Sequence, residues 1–472
     1  MHSDLRTERL ASEPLGRLIF RFSAPVIANL VVAALYNMAD RVFVGRAVGR
    51  AALAGITVSF PLFIVLSGVG MWFGQGAGAV ISLSLGRRDR ARAEAAQGTA
   101  VAASGVVALV AAAAAALWLR PILVAFGGSG EVLAQAERFA AISLVGLVFQ
   151  ALAGTLSVSM RSAGEPAVAF RIALVGTAVN LVLNPLFLFG LRLGVAGSAL
   201  ATCLAEVTSF GLALAHACRR GSALPLRRAH LFPAPGVAKE VLTLGAPPFC
   251  MQLALTVIMA ISNRAVAAHG GATGIAVMGI LYVLYPLILL PLAGLSAGVQ
   301  PVLGFNFGAN NLGRVRGALR VVLAAATAFC TLAWLPLIAW PGPIVRLFVG
   351  DDTGVMGIGP AAVRTFFALL PLVGAQVLGA GYFQAIGRAG MSFFANLLRQ
   401  VVVLVPLLLA LPPLFGLSGV WVANPLSDGI SAAITLALVA PELRRLGVGV
   451  ATSAPHSGPI NSASGLRPRT AA

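Results

Sequence analysis

A chain of 472 residues that is 58% hydrophobic and only 10% charged, with a mean hydropathy of +0.92, excludes a soluble globular domain, where about a quarter of residues carry charge. Its net charge of +18 sits in short basic stretches between apolar runs, which points to membrane topology and away from a nucleic-acid partner. The four cysteines (Cys203, Cys218, Cys250 and Cys330) lie in or at the ends of apolar runs without a C-x-x-C pair, and the five histidines (His2, His216, His230, His269 and His456) lack ligand spacing, so neither a disulfide framework nor a metal site is expected.

Residues 1–14 are polar and read as a cytoplasmic N-terminal arm. Twelve apolar runs follow, at 22–39, 53–85, 97–119, 139–160, 167–191, 195–217, 241–262, 275–303, 318–340, 361–386, 391–411 and 417–440. A transmembrane helix needs roughly 20 such residues. Backbone groups in hydrocarbon must bond internally, and the period-two alternation of a membrane barrel is missing. The expected fold is therefore an all-α membrane protein with twelve transmembrane helices. The first run is a full span that leads straight into others, unlike a cleavable signal. With the N-terminus inside, the stretches "GRRDRARA" (86–93), "RRGSALPLRR" (219–228) and "ELRR" (442–445) all face the cytoplasm, as the positive-inside rule requires, and both termini are cytoplasmic. Residues 446–472 are low in complexity and are expected to form a disordered tail.

The chain repeats itself. "FSAPVIANL" (22–30) resembles "LGAPPFCMQ" (244–252), with Pro25 and Pro247 222 positions apart; Gly86 and Gly308 keep the same offset. "SAGEPAVAF" (162–170) resembles "RAGMSFFAN" (388–396), and "GVAGSALATCLAE" (194–206) resembles "GLSGVWVANPLSD" (416–428), which sets Glu206 opposite Asp428. Each half holds six spans. Six is even, so both halves enter the membrane in the same sense and form a parallel repeat about an axis along the membrane normal. The expected division is an N-lobe over 15–218, a basic cytoplasmic linker over 219–239, and a C-lobe over 240–445. A cleft between two such bundles can open alternately to either side. Pro286 and Pro291, inside the eighth span, read as hinges for that motion.

"FSAPVIANLVVAALYNMADRVFVGRAVGRAALAGITVSFP" (22–61) resembles the opening of multidrug and toxic compound extrusion (MATE) transporters, nearest to the MepA-like members of the DinF-related branch. "GQGAGAVISLSLGRRDRARAEAA" (74–96) resembles their second helix and its basic loop, and "YFQAIGRAG" (382–390) their tenth-helix motif. The likeness runs from about 15 to about 445. It implies two pseudo-symmetric six-helix bundles around a central cavity. It implies a secondary antiporter in the inner (plasma) membrane that exports amphipathic, often cationic, xenobiotics, driven by protons or sodium ions. The expected protein is a monomer in contact with membrane lipids, with no bound cofactor, and no Ser–His, H-E-x-x-H or paired-aspartate pattern points to an enzyme activity. The glycine clusters do not form a nucleotide-binding loop, so ATP is not the expected energy source. A lipid-linked oligosaccharide flippase of the same superfamily is the alternative, but it would need a strongly basic cavity.

Three of the fifteen acids fall within or against apolar spans: Asp40, Glu206 and Asp428. Intramembrane acids are costly and functional by default. Asp40 corresponds by motif to the family's first-helix aspartate, with Tyr36 one turn back on the same face. Burial disfavours its charged form and a nearby cation favours it, so its protonation answers to hydration. Asn180 and Asn184 share a face of the fifth span. By resemblance, Asn180 matches a cation-site asparagine, whereas Asn184 stands where many relatives have aspartate. An amide takes up no proton and offers sodium only a neutral oxygen. Thr202 matches a site threonine, and Glu206, one turn on, is expected to supply the carboxylate missing at Asn184, unless it pairs with Arg171 or Arg399. The cation-coupling set is thus Asp40, Asn180, Asn184, Thr202 and Glu206, with sodium as the one candidate metal. Tyr36, Phe149, Met160, Tyr282, Gln376, Gln384 and Asp428 are candidates for the substrate cavity, since methionine repacks easily, aromatic faces bind cations, and Asp428 would attract one.

Overall fold

Apolar runs whose backbone must satisfy itself become helices, and in the computed structural model they do so along nearly the whole of the described chain (residues 10, 12–219, 221–231, 234–350 and 352–452). Most of the arm (1–9 and 11, with His2) and the tail beyond 452 (with His456) lie outside these residues. The first lobe contains α1 (Leu15–Ala47), α2 (Arg50–Gly86), α3 (Arg90–Leu117), the short α4 (Leu119–Ala125), α5 (Gly130–Ser162), α6 (Pro166–Pro185) and α7 (Val195–Ala217). The second contains α8 (Pro235–Gly308), α9 (Leu312–Ala339), the short α10 (Pro341–Val349), α11 (Thr353–Phe366), α12 (Leu370–Ala385), α13 (Ala389–Leu397), α14 (Val405–Phe415) and α15 (Leu417–Thr452).

These helices make twelve crossings. A straight helix of 74 residues would be about 110 Å long, against a hydrocarbon core of about 30 Å. α8 is therefore two crossings, and it breaks at Gly271, whose φ of 54° and ψ of −149° suit a residue without Cβ. α11 and α12 form one crossing bent by 45°. A π-helical stretch, Leu398–Leu404, joins α13 to α14 as another, and a second, Leu186–Gly190, extends α6. α8 continues through Pro286 and Pro291 as helix; its break is at the glycine, not at those prolines. Apart from Leu119, the short α4 and α10 lie outside the twelve apolar runs. They follow Trp118 and Trp340, 222 positions apart and 60% and 64% exposed, as suits indoles at a membrane–water interface.

The repeat holds in three dimensions, with one correction. Gly164 (φ 90°) precedes α6 and Gly387 (φ 80°) precedes α13, so these two correspond. The pairing of 162–170 with 388–396 is three residues out of register. Gly194 (φ 63°) and Gly416 (φ 59°) precede α7 and α15 at the expected offset of 222.

Small residues set how closely membrane helices approach, and here they close one end of the molecule. Gly76 lies against the Val241 carbonyl, Gly86 against that of Phe305, and Gly308 against that of Leu83, with no room for a Cβ. Gly294 and Gly298 meet Ile27 and Ser23 of α1. These contacts lie toward the end that carries the basic loops, so the lobes are shut there. The basic linker is docked rather than slack. Ala223 and Leu224 are buried, Arg90 donates to the Ala223 carbonyl at 3.0 Å, and Glu94 holds Arg227 at 3.3 Å. Leu10 of the arm is buried in the second lobe's core, where its carbonyl accepts from Asn306 at 3.0 Å.

Candidate functional site

A polar residue every third or fourth position lines up on one helix face. On α1 that face carries Asn29, Ala33, Tyr36, Asn37 and Asp40, and all five line a cavity of about 370 Å³. The other walls come from α2, α5, α6 and α7. Every lining residue belongs to the first lobe, so this cavity is cut into one bundle rather than lying centrally between the two. Arg41 and Phe60 are its lining residues toward the open end, with the guanidinium 5.6 Å from the ring centroid. Asn29, Met160 and Ala213 mark its depth toward the closed end.

Asp40 is half-buried and accepts hydrogen bonds from two other helices. Asn184 of α6 donates its amide, and Ser198 of α7 donates its hydroxyl at 2.9 Å. The Asn184 Oδ1 atom is buried with no protein partner. One turn deeper, Asn180 donates to the Thr202 hydroxyl at 3.1 Å, and Tyr36 reaches that same threonine. The spacing of Asn180 and Asn184 thus produces a two-level polar ladder between α1, α6 and α7.

Glu206 also lines the cavity, but it stands apart from Asp40. Eight residues of α7 separate it from Ser198, which is roughly 12 Å of helical rise. Its carboxylate accepts from Gln150 of α5 at 3.2 Å. Asn184 itself touches Asp40, whereas Glu206 bonds Gln150 and lies eight residues along α7 from Asp40's other donor, Ser198. Neither suggested basic partner reaches Glu206: Arg171 donates to the Ala167 carbonyl and Arg399 belongs to the other lobe.

The other cavity candidates divide. Tyr36 and Met160 line it. Phe149 is not among its lining residues; its ring stacks obliquely on Phe210, centroids 5.7 Å apart. Tyr282, Gln376, Gln384 and Asp428 are in the second lobe. Gln376 and Gln384 donate their amides to the backbone carbonyls of Ala395 and Leu244, at 3.3 and 3.1 Å. Asp428 is buried and takes Arg399 Nε at 2.6 Å, so its charge is already neutralised within the protein. Two residues went unnoticed in the sequence. Ser198 shares the i, i+4, i+8 face with Thr202 and Glu206, which could have revealed it. Gln150 is a polar amide in an otherwise apolar part of its span. Among the described residues no cluster of His, Cys, Asp and Glu could hold a metal ion.

Comparison with known proteins agrees with this architecture. The MatE family model matches twice, over 25–186 and 247–409, once in each lobe. The multidrug export protein MepA of Staphylococcus haemolyticus (strain JCSC1435) is 26% identical over 433 residues, covering 92% of this chain and 95% of its own. MepA of Staphylococcus aureus (strain MRSA252) is 25% identical over 427 residues, covering 90% and 94%. A MATE protein solved in a bent conformation superposes with a TM-score of 0.86 at 22% identity, over 94% of this chain and 99% of that one. An outward-facing MATE family transporter of the MOP superfamily gives 0.83 at 23%, over 93% and 98%; these likenesses carry the fold. With a family match in each of two lobes built to one plan, the chain belongs to the multidrug and toxic compound extrusion (MATE) family, among its MepA-like members.

Proposed function

We propose that this protein is a secondary antiporter that exports amphipathic compounds, many of them cationic, across the plasma membrane in exchange for inward-moving protons, with sodium as the alternative ion. The observation that carries the reading is Asp40, a carboxylate at membrane depth on the wall of a cavity. Its two hydrogen-bond donors come from different helices.

The positive-inside rule supports reading the closed end as cytoplasmic, and on this reading the cavity faces outward. A proton arriving from outside neutralises Asp40 and removes the cost of holding a charge there. Asn184 serves both states: its Nδ2 donates to the carboxylate, and its free Oδ1 accepts from the protonated acid once the amide turns. Loss of the charged hydrogen bonds loosens α1 from α6 and α7, and the rearranged wall releases its cargo outward. The lobes then close outside and open at the glycine contacts inside, where the proton leaves. Coupling requires each ligand to prefer a different state, and for binding the effect is reciprocal.

The test is reconstitution in liposomes, with a pH gradient or a sodium gradient imposed separately and a fluorescent cation followed. The pH gradient alone is expected to drive transport, and Asp40→Asn to lower it at least tenfold. Full-speed transport by that variant rules the reading out.

A further inference from the structure

Residues 206 and 428 occupy the same place in the two lobes. α7 and α15 both start immediately after a glycine of positive φ, Gly194 and Gly416, and each acid is twelve residues beyond its glycine. Yet the two acids differ in company. Asp428 faces Arg399, whose guanidinium bonds the carboxylate through Nε at 2.6 Å. It also donates to the Tyr285 hydroxyl, and its central carbon lies 5.4 Å from that ring's centroid. The pair is sealed, with side chains 2% and 5% exposed. The second lobe carries a tethered cation against its acid, beside an aromatic face.

In the first lobe that cation is missing. Counted from Gly164 and Gly387, Arg399 corresponds to Gly176; counted from Gly194 and Gly416, it corresponds to Thr177. Neither residue is charged, and both line the cavity beside Glu206. A Cβ at Gly176 would collide with the Ser209 hydroxyl, whereas Thr177 lines the cavity, so it is at position 177 that the first lobe leaves room for a cation. Among the described residues, Glu206 has a hydrogen bond from the neutral Gln150 and no ion pair. A cation entering this cavity meets Arg41 at the mouth. At the far end Arg161 bonds Ser157 of the cavity wall at 3.3 Å. Between these two positive charges, Glu206 is where a third is welcome.

We propose that Glu206, positioned by Gln150, binds the cationic head of the cargo in the place that Arg399 fills in the second lobe, and that the site accepts a planar guanidinium or amidinium carried on an apolar body. The two carboxylates of the cavity then have separate tasks: Asp40 takes the coupling ion and Glu206 the cargo. This assignment rests on the cavity being the transport site.

The experiment uses the purified full-length protein and two probes of equal shape, n-octylguanidinium and its uncharged counterpart n-octylurea, with binding measured calorimetrically. The wild-type protein should prefer the guanidinium at least tenfold. Glu206→Gln should bring that ratio to about one. Thr177→Arg, which puts an internal guanidinium next to Glu206, should do the same in a protein that still folds. A ratio that survives either substitution overturns the proposal, as does a wild-type ratio near one. If the ratio behaves as expected but no ion gradient drives transport in liposomes, the subsite stands and the antiporter reading fails.

Discussion

The Ser198 hydroxyl on α7 donates to Asp40 Oδ1 on α1 at 2.9 Å, joining residues 158 positions apart. Together with Asn184 it gives Asp40 donors from two helices, so a change in charge on this one carboxylate is felt by three. If Ser198 acts through Asp40, Ser198→Ala should reduce gradient-driven transport several-fold. The double variant with Asp40→Asn should be no worse than Asp40→Asn alone, since residues in one network are not additive. Additive losses in liposome transport would place Ser198 in a separate role.

Exchange of one proton at Asp40 for one singly charged cargo moves no net charge. The membrane potential, worth about 2.3 kcal/mol per charge per 100 mV, should then contribute nothing. Transport of a monocation should follow the pH gradient alone, with about a tenfold cargo gradient for each pH unit. A potential clamped with potassium and valinomycin checks this: a strong dependence of the end point on voltage would mean that more than one proton is exchanged.

Glu94 ties the linker to the first lobe. It accepts from Arg90 at 3.1 Å, holds Arg227 at 3.3 Å and lies 3.8 Å from His230. Glu94→Gln should free the segment, and trypsin should cut after Arg219 and Arg227 several-fold faster than in the parent. Unchanged cleavage would show that the buried Ala223 and Leu224 hold the linker without the ion pairs.

The Arg399–Asp428 pair is buried deeply enough that breaking it should matter more than removing it. Arg399→Leu leaves an unpaired carboxylate and should cost about 3–5 kcal/mol. Adding Asp428→Leu should recover a large part of that loss, because the uncompensated charge is gone. Thermal unfolding in detergent reads both variants, and a double variant less stable than the single would refute the argument.

Gly76 admits the Val241 carbonyl where any Cβ would collide. Gly76→Val should force the lobes apart at the closed end, with an overpacking cost of about 1–3 kcal/mol and loss of transport. Normal transport with an unchanged melting temperature would mean that this contact does not hold the gate.

Twelve crossings, the helical class and the two-lobe repeat were legible because they follow from local quantities: the length of an apolar run, the need to bond the backbone in lipid, and a fixed offset between similar segments. Asp40 was legible for the same reason, as a charge where none is cheap. The register of the repeat at 162–170 was misread because matching letters outweighed the positive-φ glycine that sets each helix start. The surface helices α4 and α10 were too short to register as spans.

Partnership was not legible. Asp428 looked like a cargo residue, and only packing revealed Arg399 sealed against it. Glu206 shares a helix face with Thr202, and only packing set it against Gln150 while Ser198 and Asn184 met Asp40. Sequence determined which residues are too polar for their surroundings, because that is a property of each residue and its immediate neighbours along the chain. Tertiary structure decided which of them are already satisfied and which face open space, because a charge is neutralised by groups close in space, and those arrive from helices far away in sequence.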